Sequence, residues 1–167
     1  MKATDGLGVF DAMNLEIGKC IQDGIGPVAN MKMELFDEHG NLKDVREVHN
    51  TVTTLGKNCA ADQMLASPAV AKPGWMELGT GTPAATILGA YIAGSRTALD
   101  SKTRGANAIV TMICTFGAGV GTGAITEAGI FNVTTQNTTD LIVSASFDVV
   151  NKAAGDSLVV TWTLTFA

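Results

Sequence analysis

Residues 157–166 read Ser-Leu-Val-Val-Thr-Trp-Thr-Leu-Thr-Phe, with a large apolar side chain at every second position from Leu158 to Phe166. Because successive side chains of a β-strand point to opposite faces of its sheet, this period of two predicts a strand with one buried face. One-sided burial is typical of antiparallel sheets, whereas strands of parallel sheets read as continuous apolar runs. The segment therefore predicts an antiparallel β-protein with Trp162 in its core.

The preceding segment, Leu141–Val150, alternates in the same way. One face is predicted to carry Leu141, Val143, Ala145, Phe147 and Val149, and the other to carry Ser144, Ser146 and Asp148. Two more β-rich runs, 109–116 and 125–133, come before it, and Gly, Asn, Thr or Asp turns separate the four runs. Four strands in succession predict a meander or a Greek key.

Upstream, alternating residues on both sides of Gly40-Asn41 predict a β-hairpin over 31–49. A helix is expected over about 52–66, with Asn50 or Thr51 as its cap and with Val52, Leu55, Cys59 and Leu65 facing inward. A short strand is expected at 75–79, and residues 84–107 are left unassigned. The Gly155-Asp156 turn between the last two strands is expected to be kept in water by Lys152.

These elements predict a mainly all-β fold, an antiparallel jelly-roll-like β-sandwich with one short helix and an extended N-terminal arm. The arm is assigned to residues 1–30 and the sandwich domain to residues 31–167. The first segment has too many glycines for a stable helix, yet it is too apolar for a solvated tail. An arm that orders against a neighbouring molecule is favoured, and a short helix over 11–19 is the alternative. The arm residues expected at an interface are Leu7, Val9, Phe10, Leu15, Ile17, Ile21 and Ile25.

The composition also favours protein contacts. Charged residues make up 16% of the chain, against about 25% in typical soluble domains. The mean hydropathy is +0.25, but no apolar run approaches the ~18 residues of a membrane span, so covered protein surface explains the missing charge better than a membrane does. Thr161, Thr163 and Thr165 form an uncharged strand face, which fits either an interface or a plainly solvated surface.

Little in the sequence points to chemistry. The formal net charge of −5 disfavours direct nucleic-acid binding. The glycines of 117–123 do not fit a dinucleotide loop, and a strand-like segment follows them where a helix would be needed. Cys20, Cys59 and Cys114 show no metal or disulfide spacing, and a Cys59–His49 nucleophile pair lacks an orienting group. Asp37, Glu38 and Asn41 fit turn chemistry better than a calcium loop. We therefore expect no catalytic, cofactor or metal site, and no enzyme.

Two segments, 125–131 and 147–166, resemble a group of structural proteins of tailed phages. In that group the pattern Glu-x-Gly-Ile/Leu-Phe is followed by Lys-x-x-Gly-Asp-x-Leu-x-Val-x-Trp-x-Leu-x-Phe. His49-Asn50 before a helix and the Leu-Gly-Thr-Gly-Thr segment at 78–82 fit the same group, so the resemblance covers about residues 30–166. It implies paired strands of a jelly-roll-like sandwich in a capsid decoration (cement) protein or a tail-associated protein.

The resemblance and the apolar arm together predict a virion protein on the outer surface of a phage head. We expect a homo-oligomer, with a trimer favoured, that contacts the major capsid protein and neighbouring decoration subunits. Direct contact with nucleic acid or a membrane is not expected. Since no secretory signal is recognisable at the N-terminus, synthesis in the host cytoplasm is expected. The alternative is a tail-fibre or receptor-binding module that recognises a host surface ligand.

Overall fold

A computed structural model describes residues 27–166, which form nine strands and one helix. The strands are β1 (Val28–Phe36), β2 (Leu42–Val52), β3 (Trp75–Gly79), β4 (Thr97–Ala98), β5 (Ser101–Arg104), β6 (Ile109–Phe116), β7 (Gly123–Phe131), β8 (Leu141–Lys152) and β9 (Ser157–Thr165). The helix, α1, spans Thr54–Asp62 and follows β2. The prediction of a mainly antiparallel β-fold with one short helix is confirmed for these residues. Because β1 begins at Val28, the sheet starts three residues before the predicted start of the sandwich domain at residue 31.

All nine strands belong to one curled sheet in the order β4-β3-β7-β8-β2-β1-β9-β6-β5. We call β5, β6, β9, β1 and β2 the β9 half, and β4, β3, β7 and β8 the β7 half. The two halves meet where Thr51 and Val52, at the end of β2, pair with Ser144 and Val143 of β8. The inward side chains of both halves form a single core cluster, which includes Met31, Leu78, Ile130 and Trp162.

The last four long strands do not form a meander. β6 pairs with β9, and β7 pairs with β8, so the consecutive strands β6 and β7 lie in different halves. The segment β6–β7 therefore runs antiparallel to the segment β8–β9. Together they form one two-stranded ribbon that passes from one half of the sheet to the other. The pairing of distant strands such as β1 with β9 closes this arrangement.

The period-two prediction is confirmed for β9 and for the middle of β8, where Val143 and Ala145 are buried and Ser146 and Asp148 are exposed, but it is wrong towards both ends of β8. In β9, Leu158, Val160, Trp162 and Leu164 are buried in strict alternation, although Phe166 beyond the strand is exposed. In β8, Val149 is 42% exposed and Val150 is buried. The pairs Ile125–Val150 and Glu127–Ser146 explain the shift, because β7 advances by two residues where β8 advances by four. This bulge reverses the face of the strand.

A second irregularity places Leu141 away from the main core. The register of β7 and β8 shifts again between Ile130 and Phe131. As a result, Leu141 packs with Phe131, Leu88 and Trp75 in a small cluster on the outer side of the β7 half. Ser144, predicted to face water, is buried there as well.

The predicted hairpin is confirmed, and the helix is shorter than expected. β1 and β2 pair in register around the turn, where the Asp37 carboxylate accepts hydrogen bonds from the backbone amides of His39 and Asn41. The helix cap is Thr53, not Asn50 or Thr51, because β2 continues through Val52 to reach β8. Cys59 faces inward as predicted, but Leu65 lies beyond the helix and is 61% exposed.

Lys152 does not lie in water. The residue is 2% exposed, and its Nζ atom donates to the carbonyl oxygens of Gly117 at 2.9 Å and Asp156 at 2.7 Å. Burial lowers the pKa of this ammonium group, and the nearby Asp156 carboxylate opposes the shift. The prediction that Lys152 keeps this turn in water is therefore wrong. Its two hydrogen bonds join the connection between β6 and β7 to the connection between β8 and β9.

Candidate protein interface

The outward side of the β9 half is an open surface of short polar and β-branched side chains. The register aligns Thr161 with Lys32 and Ile113, and Thr163 with Asn30 and Thr111. We call this surface the threonine face. On β9, β6 and β5 it consists of Val159, Thr161, Thr163, Thr165, Ile109, Thr111, Ile113, Thr115, Ser101 and Thr103.

Charge on the threonine face is confined to one side. The outward positions of β5, β6 and β9 carry no charged residue, since Lys102 and Arg104 on β5 pair with inward-facing positions of β6. On β1 and β2, Lys32 and Glu34 form an ion pair at 2.8 Å, and Glu47 lies opposite Lys32. Half-exposed threonines can keep hydrogen bonds when covered, so this surface costs less to desolvate than a charged one.

A shallow groove of about 610 Å³ crosses the boundary between the charged and uncharged parts of the face. Its floor includes Asn30, His49, Thr161 and Thr163. The His49 Nδ1 atom and the Asn30 Oδ1 atom lie 2.7 Å apart and share a hydrogen bond. The groove therefore presents the polar groups of Asn30, His49 and the two threonines on the outward side of the strands.

The outward side of the β7 half is built differently, because the chain's own loops cover it. Glu127 on β7 is completely buried. Its carboxylate accepts hydrogen bonds from the backbone amides of Gly81 at 3.0 Å, Gly89 at 2.8 Å and Ala90 at 2.7 Å. Charge-assisted bonds to backbone amides compensate a buried carboxylate. They hold the loop after β3 against the sheet.

A buried ion pair fixes the rest of this cover. The Arg96 guanidinium donates to Glu77 Oε2 at 2.6 Å and to the Val133 carbonyl at 2.8 Å, and it stacks 3.5 Å above the Phe131 ring. Gln136 donates to the other oxygen of Glu77 and to the Ile92 carbonyl. Two separate loops, 80–96 and 132–140, are thereby joined over β3 and β7.

The two halves are therefore not equivalent. One outward side is closed by loops that a buried carboxylate and a buried ion pair hold in place, whereas the threonine face keeps Asn30, His49 and Thr115 exposed. Within residues 27–166, no loop network of this kind lies over the threonine face. A surface that is short of charge and left open is the part of this fold best suited to another protein.

The residues considered for chemistry do not come together. Cys59 is buried in the core and donates a weak bond to the Ala71 carbonyl, while His49 lies on the threonine face bonded to Asn30. Burial raises the pKa of the Cys59 thiol and raises that of Cys114 to about 12. Both cysteines are free thiols. The 117–123 segment connects β6 to β7, so a strand follows it as predicted.

Two further observations concern ligands and membranes. Among residues 27–166, no group of three or more His, Cys, Asp or Glu side chains is placed to hold a metal ion. The helix in this described part of the chain is not long and apolar enough to cross a membrane. Both carboxylate oxygens of Asp37 accept hydrogen bonds within the hairpin turn, one from the His39 amide and one from the Asn41 side chain.

The structure gives positions for only some of the residues predicted at an interface. Thr161, Thr163 and Thr165 lie on the outward side of β9 as expected. The arm residues Leu7, Val9, Phe10, Leu15, Ile17, Ile21 and Ile25 lie outside the described residues. Sequence reasoning missed Glu127 and the Arg96–Glu77 pair. The signal for them was two glutamates and an arginine inside segments that otherwise carry no charge.

No protein-family model, curated protein or solved structure matches this chain.

Proposed function

We propose that this chain is a non-enzymatic virion protein, a decoration (cement) subunit that binds the outer surface of a tailed-phage head and stabilises it through contacts between subunits. The observation that carries the proposal is the threonine face, whose β5, β6 and β9 positions are uncharged while the opposite outward side is closed by internal loops. A chain that works by packing needs such a surface. A solvated domain would be expected to carry charge there.

The connectivity supports a jelly-roll-like sandwich as the finer description of the fold. Jelly rolls are double-sheet antiparallel architectures with Greek-key connections. Pairing of β6 with β9 and of β7 with β8 makes a ribbon that crosses between the two halves of the curled sheet, whose inward side chains share one core. Such a fold presents broad, rigid strand faces, which suits a protein whose task is to cover and hold a surface.

We further propose that the subunits form a homotrimer, in which the threonine face of each subunit contacts a different surface of the next. A closed ring of this kind has heterologous interfaces. Three linked subunits bind the shell together, so each weak contact raises the effective concentration of the next. Contacts to the major capsid protein and to neighbouring decoration subunits then resist the outward pressure of packaged DNA without catalysis.

The absence of catalysis is part of the proposal, and the burial of the thiols supports it. A nucleophilic cysteine needs an accessible thiolate, yet both described thiols are buried and have raised pKa values. The His49 imidazole, the base considered for Cys59, shares a hydrogen bond with Asn30 on an outward surface. Burial of the thiols and the separate position of His49 are better explained by structure than by a reaction.

The test is binding to heads that lack the protein. Purified wild-type chain, a Thr161→Lys/Thr163→Lys variant and a Ser146→Lys control are mixed with such heads and sedimented. Ser146 is a small exposed polar residue on β8, outside the threonine face. We expect wild type and control to cosediment and to protect the heads from heat, and we expect the double variant to bind at least about tenfold more weakly, because two buried ammonium groups would be unpaired.

Two outcomes would count against the proposal. Equal binding by all three proteins would remove the threonine face from the contact. Immunogold labelling of whole virions gives an independent answer, since labelling over the head supports a decoration protein. Labelling at the tail tip would instead support the receptor-binding alternative.

A further inference from the structure

An apolar cleft opens at the end of the β9 half, next to α1. It has a volume of about 210 Å³ and lies where α1, β6 and the end of β9 meet. Its wall is formed by Gly56, Cys59, Ala60, Val110, Met112, Ile142, Leu164 and Phe166, and its remaining lining comes from Pro27, Gln63, Lys72, Pro73 and Lys102. The wall is continuous with the main core, because Cys59, Met112, Ile142 and Leu164 belong to the core cluster.

We propose that this cleft is the docking site for the segment of the same chain that immediately precedes it, residues 15–25. Pro27, the first described residue, is itself part of the lining. Ile25 is two residues from Pro27 and Ile21 is six. Since a chain extends by at most about 3.6 Å per residue, both isoleucines are tethered within roughly 22 Å of the cleft. A tethered segment has a far higher effective concentration than a free partner.

The chemistry of the segment matches the cleft. Residues 15–25 contain Leu15, Ile17, Ile21 and Ile25, the aliphatic side chains that an apolar wall binds. The volume of about 210 Å³ equals roughly seven waters at about 30 Å³ each, which is enough for one or two aliphatic side chains. Glycines at positions 24 and 26 flank Ile25 and permit the sharp turn that brings the segment back over the cleft.

Charge favours the same occupant. Lys72 and Lys102 lie in the lining of the cleft. Residues 1–26 carry Asp5, Asp11, Glu16 and Asp23 but only Lys2 and Lys19 as basic residues, so the segment is net acidic. Asp23 stands between the two isoleucines and is close enough along the chain to meet the lysines at the rim.

This docking divides the arm into two parts. Residues 15–25 complete the core of their own subunit, and the more distant Leu7, Val9 and Phe10 remain available to reach a neighbour. The inference does not depend on a virion, because the contact forms within one chain. It can therefore fail while the proposed function stands, and the reverse is also possible.

Cysteine cross-linking tests the docking in the purified full-length protein. Cys20 lies within the segment, so Gln63→Cys is introduced in the cleft lining and Cys59 and Cys114 are replaced by serine. Under air with a copper catalyst, we expect an intrachain disulfide, seen as a faster-migrating band without reductant and as a mass lowered by the two thiol hydrogens. A matched control with Ser146→Cys in place of Gln63→Cys should stay reduced.

Each other outcome overturns the proposal. Disulfide-linked dimers would show that the cleft accepts the segment of a second copy, and no disulfide at either position would show that the segment lies elsewhere. As a second readout, Ile21→Ser/Ile25→Ser should lower the Tm by about 5–10 °C through loss of apolar burial. Leu7→Ser/Val9→Ser should leave the Tm unchanged, and an equal loss in both variants would contradict the division of the arm.

Discussion

The backbone amide of Ala90 donates to the Glu127 carboxylate at 2.7 Å, which ties the middle of a long loop to the centre of β7. Gly81 and Gly89 donate to the same carboxylate. No cation is needed at this position, because three amide dipoles point at the negative charge. The Leu-Gly-Thr-Gly-Thr segment at 78–82 and the strand segment at 125–131 are thus joined through the Glu127 carboxylate.

Glu127→Gln should destabilise the fold by about 2 kcal/mol, because the new amide group would point a donor at a backbone donor and the charge would be lost. Urea unfolding measures the change. Glu47→Gln, at an exposed position on β2, is the matched control and should lie within about 0.5 kcal/mol of wild type. If both variants unfold like wild type, the carboxylate does not hold the loop.

Gly89→Ala should also destabilise the fold, by about 2 kcal/mol, through overpacking. A Cβ atom at position 89 would lie 2.2 Å from the Thr82 carbonyl oxygen, which is a backbone atom of the same loop. Gly117→Ala is the control, since its Cβ would meet nothing within 4 Å. Equal stability of the two variants in urea unfolding would show that the loop can open at this point without cost.

Acid should weaken the Lys43–Asp156 contact. The Lys43 Nζ atom donates to Asp156 at 2.6 Å, and this bond, followed by one from the Ala153 amide, holds the pKa of the carboxyl below its usual 3.8. A carboxyl whose pKa is lower in the folded state stabilises the protein above the unfolded-state pKa of about 3.9 and loses that effect as the pH falls through the folded value.

The urea midpoint of wild type should therefore exceed that of Asp156→Asn at about pH 7, and the difference should shrink towards zero by about pH 2. Lys43→Met removes the larger contribution and leaves the bond from the Ala153 amide, so its urea midpoint should depend less on pH than that of wild type. A midpoint difference that stays constant across this range would contradict the assignment of the acid effect to Asp156.

The thiols of Cys59 and Cys114 should resist alkylation in the folded protein. Burial is the main cause of the raised pKa at both positions, about 12 for Cys114. Because the thiolate is the reactive form, iodoacetamide at about pH 7.5 should label both slowly in buffer and rapidly in urea, as followed by mass spectrometry. Ser146→Cys gives an exposed reference thiol. Rapid native labelling of Cys59 would reopen the case for a nucleophile.

The sequence pattern predicted that buried and exposed side chains alternate along the whole length of each of the last two strands. β9 is the clear example, because every second residue from Leu158 to Leu164 faces the core and no bulge interrupts it. β8 looked equally regular, but two extra residues near Phe147 shift its faces. Pairing with β7 creates that shift. A pattern within one strand cannot show it.

The hydrogen bonds that hold loops over the β7 half could hardly be predicted from the sequence. Glu127 binds backbone amides, which every residue possesses, so its partners have no characteristic side chains. Lys152 likewise binds backbone carbonyl oxygens, so no characteristic side chain in the sequence marks its partners. The outward position of Thr161, Thr163 and Thr165 was predictable from alternation alone, whereas the openness of their surface depends on where the loops lie.

The threonine face should carry self-association in solution, which is the property that separates an interface from a solvated surface. Thr161 and Thr163 point outward beside Lys32 and Asn30, so lysines at these positions should leave folding stability within about 1 kcal/mol of wild type. In sedimentation velocity at high protein concentration, we expect wild type and Ser146→Lys to form trimers and Thr161→Lys/Thr163→Lys to remain monomeric. The reason is electrostatic: closing the interface would strip water from two ammonium groups that face uncharged threonine and isoleucine side chains. A monomeric wild type, or a double variant that still trimerises, would show that this face is simply solvated.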